Sequence, residues 1–291
     1  MRRHDTLRPA ALSRALRPDR HRLPQHPPAP PLSAARCALI AIDCLNTFIR
    51  PSGALSISAY QAVALGLDGG AAQGALDAMA ARMGALRRAL FEARVPQVQL
   101  QDAHVVDWVH GRRFHSMEIA REGEAPDFVR TFPAHALLDR DRRFGTPDQQ
   151  AIDELRLPLR QVLVRWFDPG FPPEADLAPD RELLLLKDDF CASPGTPFAE
   201  RLFWELRRQR RFTLIVMGVC DEICNLRNAL LMLSSLFHVL YVEDCTAPLD
   251  PRKREPALRY LADFNPLGQE SAGQLERVTA AEVMWRLGVS R

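Results

Sequence analysis

Two cysteines stand four residues apart in the stretch GVCDEICN (218–225), which follows the apolar run TLIVM. This pattern predicts a buried strand that turns into a helix. The first turn of a helix leaves backbone N–H groups without intrahelical partners, and the helix dipole there favours a thiolate. The same N–H groups can bind the oxyanion of a tetrahedral intermediate. The stretch therefore offers a candidate nucleophilic thiol, either Cys220 or Cys224, and two buried cysteines that only pack in the core are the alternative.

A nucleophilic thiol needs a base to take its proton and a cation to balance the resulting charges. Asp43 ends the apolar run CALIAID (37–43), and Lys187 stands near the end of ELLLLKD (182–188). In open α/β sheets the reactive groups gather beyond the carboxyl ends of the strands. The sequence therefore predicts that Asp43, Lys187 and one of the two cysteines converge to perform covalent acyl transfer.

Predicted strands alternate with predicted helices along the body of the chain. Strands are expected at 37–43, 95–102, 161–166, 182–188, 213–219 and 238–244. Helices are expected at 71–94, 197–211, 221–237, 253–263 and 279–287. Because parallel strands need crossover helices, this alternation predicts a three-layer α/β/α fold with a central, mostly parallel sheet. Besides Asp43 and Lys187, the strand ends to inspect are Asp102, the Val219–Cys220 corner and Asp244.

Composition divides the 291 residues into two parts. Residues 1–36 are rich in Arg and Pro, and their only acids are Asp5 and Asp19. We expect a disordered or loosely packed extension there, with an organelle transit peptide as the alternative. Residues 37–291 are expected to form one α/β domain with a long, loop-rich insertion near 103–180.

Charge and hydropathy exclude several classes of function. A net charge of +2 gives no strong field for nucleic acid or an anionic membrane. The most apolar stretch, ALLMLSSLFHVLYV (229–242), is shorter than the roughly 20 residues that a membrane span needs. The six cysteines include no CxxC pair, so we expect reduced thiols in a cytoplasmic protein.

Three segments resemble the isochorismatase-like cysteine hydrolases, the superfamily that includes the nicotinamidases. They are CALIAIDCLNTF, LLLLKDDFCASPGTPF and LIVMGVCDEICNLRNALLMLSSLFHVLYVEDCTAP, and the resemblance covers roughly residues 37 to 285. It implies that Cys224 is the nucleophile, Asp43 the base and Lys187 the third catalytic residue. It also implies an oxyanion hole formed by the backbone N–H groups of Cys220 and Cys224, with a cis peptide between Val219 and Cys220.

A possible metal site follows the second predicted strand, in QDAHVVDWVHGRRFH (101–115). Asp102 and His104 are separated by one residue, and a carboxylate with an imidazole is a ligand pair that suits Zn, Mn or Fe(II). The segment 125–155 resembles the nicotinamidase segment that presents a later histidine, which implies His135 as the third ligand. His110 is a possible fourth ligand or a residue that hydrogen-bonds to the ligands, and His115 is expected at the surface.

The resemblance implies hydrolysis of a small carboxamide, most simply nicotinamide to nicotinate and ammonia, with a divalent metal and no organic cofactor. Phe48 and Trp108 are candidates for the wall of the substrate pocket, and core packing is the alternative interpretation. Another small amide or carbamoyl compound is an alternative substrate. A non-catalytic ligand-binding or interaction protein is the alternative function, and a homo-oligomer is compatible with each.

The chain departs from the family pattern around the nucleophile. Asp221 and Glu222 stand where the family usually has Thr-Asp, and Asn225 replaces a small apolar residue. Acids at a helix N-terminus stabilise the helix, but they would compete with a thiolate for the same dipole. These departures concern the substrate more than the type of reaction.

Overall fold

A computed structural model of the chain describes residues 30–104, 108–109, 112–113, 119, 132–138, 145–166, 177–189, 198–264 and 274–289. Seven strands in these ranges form one parallel sheet: β1 (Cys37–Ile42), β2 (Gln97–Asp102), β5 (Arg160–Arg165), β6 (Arg181–Lys187), β7 (Thr213–Val219), β8 (His238–Ala247) and β9 (Leu275–Val278). Their order across the sheet is β5-β6-β2-β1-β7-β8-β9. The short strands β3 (Trp108–Val109) and β4 (Arg112–Arg113) form a separate antiparallel pair.

Helices lie on both faces of the sheet. They are α1 (Asn46–Ile49), α2 (Ile57–Leu65), α3 (Gly69–Glu92), α4 (Phe198–Arg208), α5 (Leu226–Ser234), α6 (Pro251–Asp263) and α7 (Ala280–Arg286). Apolar side chains of α3 and α7 pack on one face of the sheet, and those of α4, α5 and α6 pack on the other. The predicted three-layer α/β/α fold with a parallel central sheet is confirmed.

The central strand β1 shows why its sequence is apolar throughout. Leu39 and Ala41 face the core under α3, whereas Ala38, Ile40 and Ile42 face the opposite core under α4 and α5. Successive side chains of a strand point to opposite faces, so a strand covered on both sides reads as a continuous apolar run.

Several predicted elements need correction. Asp244 does not end its strand, because β8 continues to Ala247, and the Asp244 carboxylate instead accepts the N–H of Ala280 at 2.8 Å, at the start of α7. The helix predicted from 221 begins as a separate five-residue turn, and α5 starts only at Leu226. Several elements were not predicted, among them α2, in a segment without strong periodicity, and β9, a short strand at the sheet edge.

The predicted strand at 161–166 is confirmed as β5. This strand lies inside the segment expected to be loop-rich and pairs with β6, which follows that segment. At the other end of the chain, Leu32 donates its N–H to the carbonyl of Arg286 at 2.9 Å, so the residues just before β1 contact α7. Residues 1–29 lie outside the described ranges, and the proposed division at residue 36 stays a prediction. In the part of the chain that the structure describes, no helix is long and apolar enough to span a membrane.

Gly218 lets β7 and β1 approach each other where both strands end. Its φ of 136° lies in a region that side-chain-bearing residues rarely adopt, and a Cβ there would stand 1.9 Å from the carbonyl oxygen of Ile42. Ile42 is its register partner and directly precedes Asp43. The glycine therefore sets the spacing between the predicted base and the turn that carries the two cysteines.

We predict that Gly218→Ala lowers the free energy of unfolding by about 2–4 kcal/mol, because backbone strain and an unavoidable contact with main-chain atoms add. Gly74→Ala in α3 is the matched control. A Cβ at Gly74 meets nothing within 4 Å, so the change should stabilise the helix by about 0.5–1 kcal/mol. Urea unfolding of both variants measures the difference, and equal stabilities would contradict the close-contact explanation.

Candidate active site and metal centre

The predicted base and cation meet at the carboxyl ends of three neighbouring strands. Asp43 follows β1, Asp102 ends β2 and Lys187 ends β6, with Asp102 and Lys187 paired in register. The Lys187 ammonium donates to Asp43 Oδ2 at 2.8 Å and also donates to Asp102 Oδ1. All three side chains are buried, so the sheet edge holds one positive charge between two carboxylates.

Asp43 is held by its backbone as well as by Lys187. Its φ of 50° is left-handed, a conformation that aspartate tolerates better than most residues. Its Oδ1 accepts the N–H of Asp102 at 2.7 Å. Burial raises the pKa of Asp43 to about 6, and the negative charge of Asp102 adds to the rise, whereas Lys187 and a hydrogen bond from Cys224 oppose it. A carboxyl of this kind can both take and return a proton near neutral pH.

Cys224 reaches this carboxylate from the cysteine turn, the five residues Asp221–Asn225 that follow β7. Its thiol hydrogen-bonds to Asp43. The Cys224 sulfur and one carboxylate oxygen each of Asp43 and Asp102 lie within 4.8 Å of one another. The structure thus brings together the three residues predicted for acyl transfer.

Cys220 occupies a different environment from Cys224. Its side chain belongs to the core cluster under α3, and burial, followed by the charge of Glu222, raises the pKa of its thiol well above the ordinary value. The peptide between Val219 and Cys220 is cis, as the resemblance implied. The contact with Asp43 therefore favours Cys224 as the reactive thiol. The side chain of Cys220 lies in the core, and its backbone directly precedes the cysteine turn.

A second cluster adjoins the first through Asp102. One possible ligand atom each from Asp102, His104 and His135 lies within 4.8 Å of the others, and all three residues are buried. The two imidazole rings stand 4.7 Å apart between centroids. His104 is joined to the segment of His135 by its N–H, which donates to Ala136 O at 2.9 Å. Residues that are 31 positions apart in sequence are therefore fixed side by side.

The chemistry of this cluster fits a divalent metal. His104 Nδ1 bonds to the Asp188 carboxylate at 2.9 Å, and His135 Nδ1 bonds to Pro133 O at 2.7 Å. Such acceptors hold a ligating imidazole with its Nε2 lone pair available to a metal. Burial and the nearby His104 also lower the pKa of His135 to about 4, which keeps it neutral at neutral pH. One carboxylate and two imidazoles suit Zn²⁺ and similar ions.

The remaining predicted site residues are only partly placed. Phe48 is buried, and its ring stands 5.6 Å from that of His135 in an edge-to-face arrangement, so it contacts a candidate metal ligand as well as the core. Trp108 lies in β3, but the position of its side chain is outside what the structure describes. His110 and His115 fall outside the described residues.

Sequence analysis missed two residues that support the site. Asp188 directly follows Lys187 and bonds to His104, and its place beside a strand-end lysine was the available signal. Asp148 accepts the N–H of Ala136 and that of Ala54, both at 3.1 Å, and so ties the His135 segment to the loop before α2. Nothing in the local sequence around Asp148 indicated this role.

Comparison with known proteins now identifies the family. A profile of the isochorismatase domain matches residues 37–270, most of the chain. The chain belongs to the isochorismatase family. A search of curated proteins finds no match.

Solved structures share this family fold at low sequence identity. Bacillus subtilis nicotinamidase is 20% identical, with a TM-score of 0.52 over 78% of this chain and 95% of its own. Pyrococcus horikoshii pyrazinamidase, solved in complex with zinc, is 18% identical, with a TM-score of 0.50 over 84% and 99%. Thermoplasma acidophilum N-carbamoylsarcosine amidase is 17% identical, with a TM-score of 0.50 over 84% and 96%. These structural matches show that the chain shares the fold. Because the sequence identities are low, they do not show which substrate the chain binds.

We predict that Asp188→Asn weakens Zn²⁺ binding by about 10–100-fold, because the amide orients the His104 ring less firmly and makes its Nε2 less basic. Competition with a chromophoric chelator measures the affinity. The matched control is Asp189→Asn, one residue further along, whose exposed carboxylate lies 3.9 Å from the exposed Arg227. Equal Zn²⁺ affinities for the two variants would mean that Asp188 does not support the metal centre.

Proposed function

We propose that this member of the isochorismatase family is a metal-assisted cysteine amidohydrolase, and that it converts nicotinamide to nicotinate and ammonia. The observation that carries the proposal is the meeting of Cys224, Asp43 and Lys187 at one sheet edge, with the cluster of Asp102, His104 and His135 beside it. The nicotinamidase and pyrazinamidase neighbours support the choice of a ring-bearing carboxamide.

In the first half of the reaction, the Asp43 carboxylate takes the thiol proton of Cys224. The sulfur lone pair attacks the carboxamide carbon, and the π electrons of the C=O bond move onto oxygen. Backbone N–H groups of Cys220 and Cys224 hold the oxyanion. The tetrahedral intermediate then collapses: the C–N bond breaks, and Asp43 returns its proton to the departing nitrogen. Ammonia leaves, and a thioester to Cys224 remains.

In the second half, water attacks the thioester carbon while Asp43 takes one of its protons. The C–S bond breaks, the Cys224 sulfur recovers a proton from Asp43, and the acid product leaves. Asp43 thus acts as base and then acid in each half of the reaction, which a carboxyl with a raised pKa suits. One amide and one water give one acid and one ammonia.

Lys187 balances the charges during these steps. Its ammonium bridges Asp43 and Asp102, so a proton that moves from Cys224 to Asp43 leaves a thiolate beside a positive charge. In a buried site such pairing is strong, because little water screens it. Without Lys187, two carboxylates would stand together in the interior, and the proton transfer would only move one of the two uncompensated negative charges from Asp43 to the sulfur.

Asp102, His104 and His135 would hold the metal ion. When bound, a divalent ion supplies a Lewis acid that accepts a lone pair from the substrate, such as that of a pyridine nitrogen. Asp102 belongs to both clusters, since it also pairs with Lys187. The proposed ligand set and the proposed nucleophile would therefore share one carboxylate, and Phe48 adds an apolar ring next to His135.

We predict that Cys224→Ala abolishes ammonia release from nicotinamide, to below about one part in 10⁴ of the wild-type kcat, because no covalent route remains. Cys37→Ala is the matched control. Cys37 is also buried, but it begins β1 at the opposite end of the strand from Asp43, so its loss should cost stability and leave kcat within twofold.

The assay uses a panel of amides that includes nicotinamide, pyrazinamide and an N-carbamoyl amino acid. Activity of Cys224→Ala equal to that of the wild type would rule out the covalent mechanism. Turnover of carbamoyl compounds alone would retain the mechanism and change the substrate. Silence of the wild-type protein on every member, with and without added Zn²⁺, would favour a ligand-binding protein on the hydrolase fold.

A further inference from the structure

The cysteine turn is wound more widely than an α-helix. The carbonyl of Cys220 accepts the N–H of Asn225 at 3.0 Å, five residues on, and also that of Ile223 at 3.1 Å. Turns of this π type are rare and are frequently found at functional sites. Because an α-helical turn would be the more favourable local geometry, contacts from elsewhere in the chain must hold this one in place.

Asp221 makes several of these contacts. Its carboxylate is fully buried and lies 3.0 Å from Arg254 Nε. Its Oδ1 accepts the Tyr241 hydroxyl at 2.6 Å. Tyr241 belongs to β8 and Arg254 to α6, so the first residue of the cysteine turn is tied to two other elements.

Asn225 ties down the other end of the same turn. Its side-chain amide donates to the Gly218 carbonyl at 3.0 Å, to Asp221 Oδ1 at 3.2 Å and to the Tyr241 hydroxyl at 3.2 Å. In the sequence, Asn225 directly follows Cys224, and Asp221 stands three residues before Cys224. The nucleophile is therefore enclosed between two side chains that bind each other.

Arg254 explains why an acid is tolerated at position 221. Its guanidinium neutralises the Asp221 carboxylate and also donates to the carbonyl of Glu243 at 2.6 Å. The second acid, Glu222, accepts the N–H groups of Leu249 and Asp250 at 3.1 and 2.6 Å. Both carboxylates are thus engaged by groups of β8, α6 and the loop between them.

We propose that Asp221, Asn225, Tyr241 and Arg254 are positioning residues for Cys224: they form a buried, charge-compensated clamp that holds the cysteine turn open and its sulfur on the Asp43 carboxylate. This inference rests on the proposed function, because it assigns the clamp to the same nucleophile. The clamp touches neither substrate nor reacting atoms and acts only through the shape of the turn.

Two conservative changes test the clamp. Tyr241→Phe removes one hydroxyl from a buried ring, and Asp221→Asn removes the charge while keeping the shape. A displacement of about 1 Å at a reacting atom can cost 10²-fold in rate. We expect kcat to fall about tenfold for Tyr241→Phe and about 10²-fold for Asp221→Asn, with KM for nicotinamide within twofold of wild type.

Alkylation of Cys224 by iodoacetamide, followed by mass spectrometry, provides a readout that needs no substrate. Its rate should fall in the same order, because a sulfur moved off Asp43 loses its base. Tyr260→Phe is the matched control: this tyrosine is exposed on α6, the helix that carries Arg254, and its loss should change neither rate. Arg254→Lys should retain more activity than Arg254→Met, since it keeps the charge.

Variants that lose thermal stability but keep wild-type kcat and alkylation rates would overturn the clamp and leave these residues with a structural role only. Should Asp221→Asn fail to fold, the isosteric Tyr241→Phe decides alone. A wild-type protein that hydrolyses no amide would refute the proposed function. The alkylation rates would still test the clamp in that case, so the two failures are distinguishable.

Discussion

The buried ammonium of Lys187 between two carboxylates is the interaction on which the rest of the site depends. Taking charges out of water costs several kcal/mol per ion, and only close opposite charges and complete hydrogen bonding offset this cost. Here Lys187 meets both Asp43 and Asp102, and Asp43 also accepts a backbone N–H. The parallel register that places Asp102 opposite Lys187 is therefore a requirement of the charges as well as of the sheet.

One consequence is that the candidate catalytic and metal centres cannot be separated. Asp102 pairs with Lys187 on one side and faces His104 and His135 on the other. A bound divalent cation would add positive charge next to the ammonium, and the shared carboxylate would offset part of the charge of both. The Asp188 carboxylate behind His104 supplies further negative charge. The carboxyl ends of these strands thus form one electrostatic unit, in which the charge of each group is offset or opposed by the charges of its neighbours.

Sequence reasoning reached the parts of this unit that local patterns encode. Strand-like segments ending in or near Asp43, Asp102 and Lys187 predicted strands, and the rule for parallel sheets predicted that their ends meet. The local pattern did not distinguish Cys220 from Cys224, because both positions are compatible with the start of a helix after β7. Only the family resemblance indicated Cys224. His135 likewise came only from the resemblance, since its approach to His104 depends on contacts between segments far apart in the chain. Asp244 misled because nothing in the sequence marks where β8 stops.

The acids after Cys220 show the same limit in a sharper form. Read locally, Asp221 and Glu222 oppose a thiolate at the helix N-terminus. In the fold, the charge of Asp221 is neutralised by Arg254, which lies 33 residues downstream. The Glu222 carboxylate accepts hydrogen bonds from two backbone N–H groups just before α6. A buried acid and a distant arginine depend on each other, because either one alone would leave an uncompensated charge in the interior. Departures from the family pattern around the nucleophile are therefore better judged as a set of contacting residues than one position at a time.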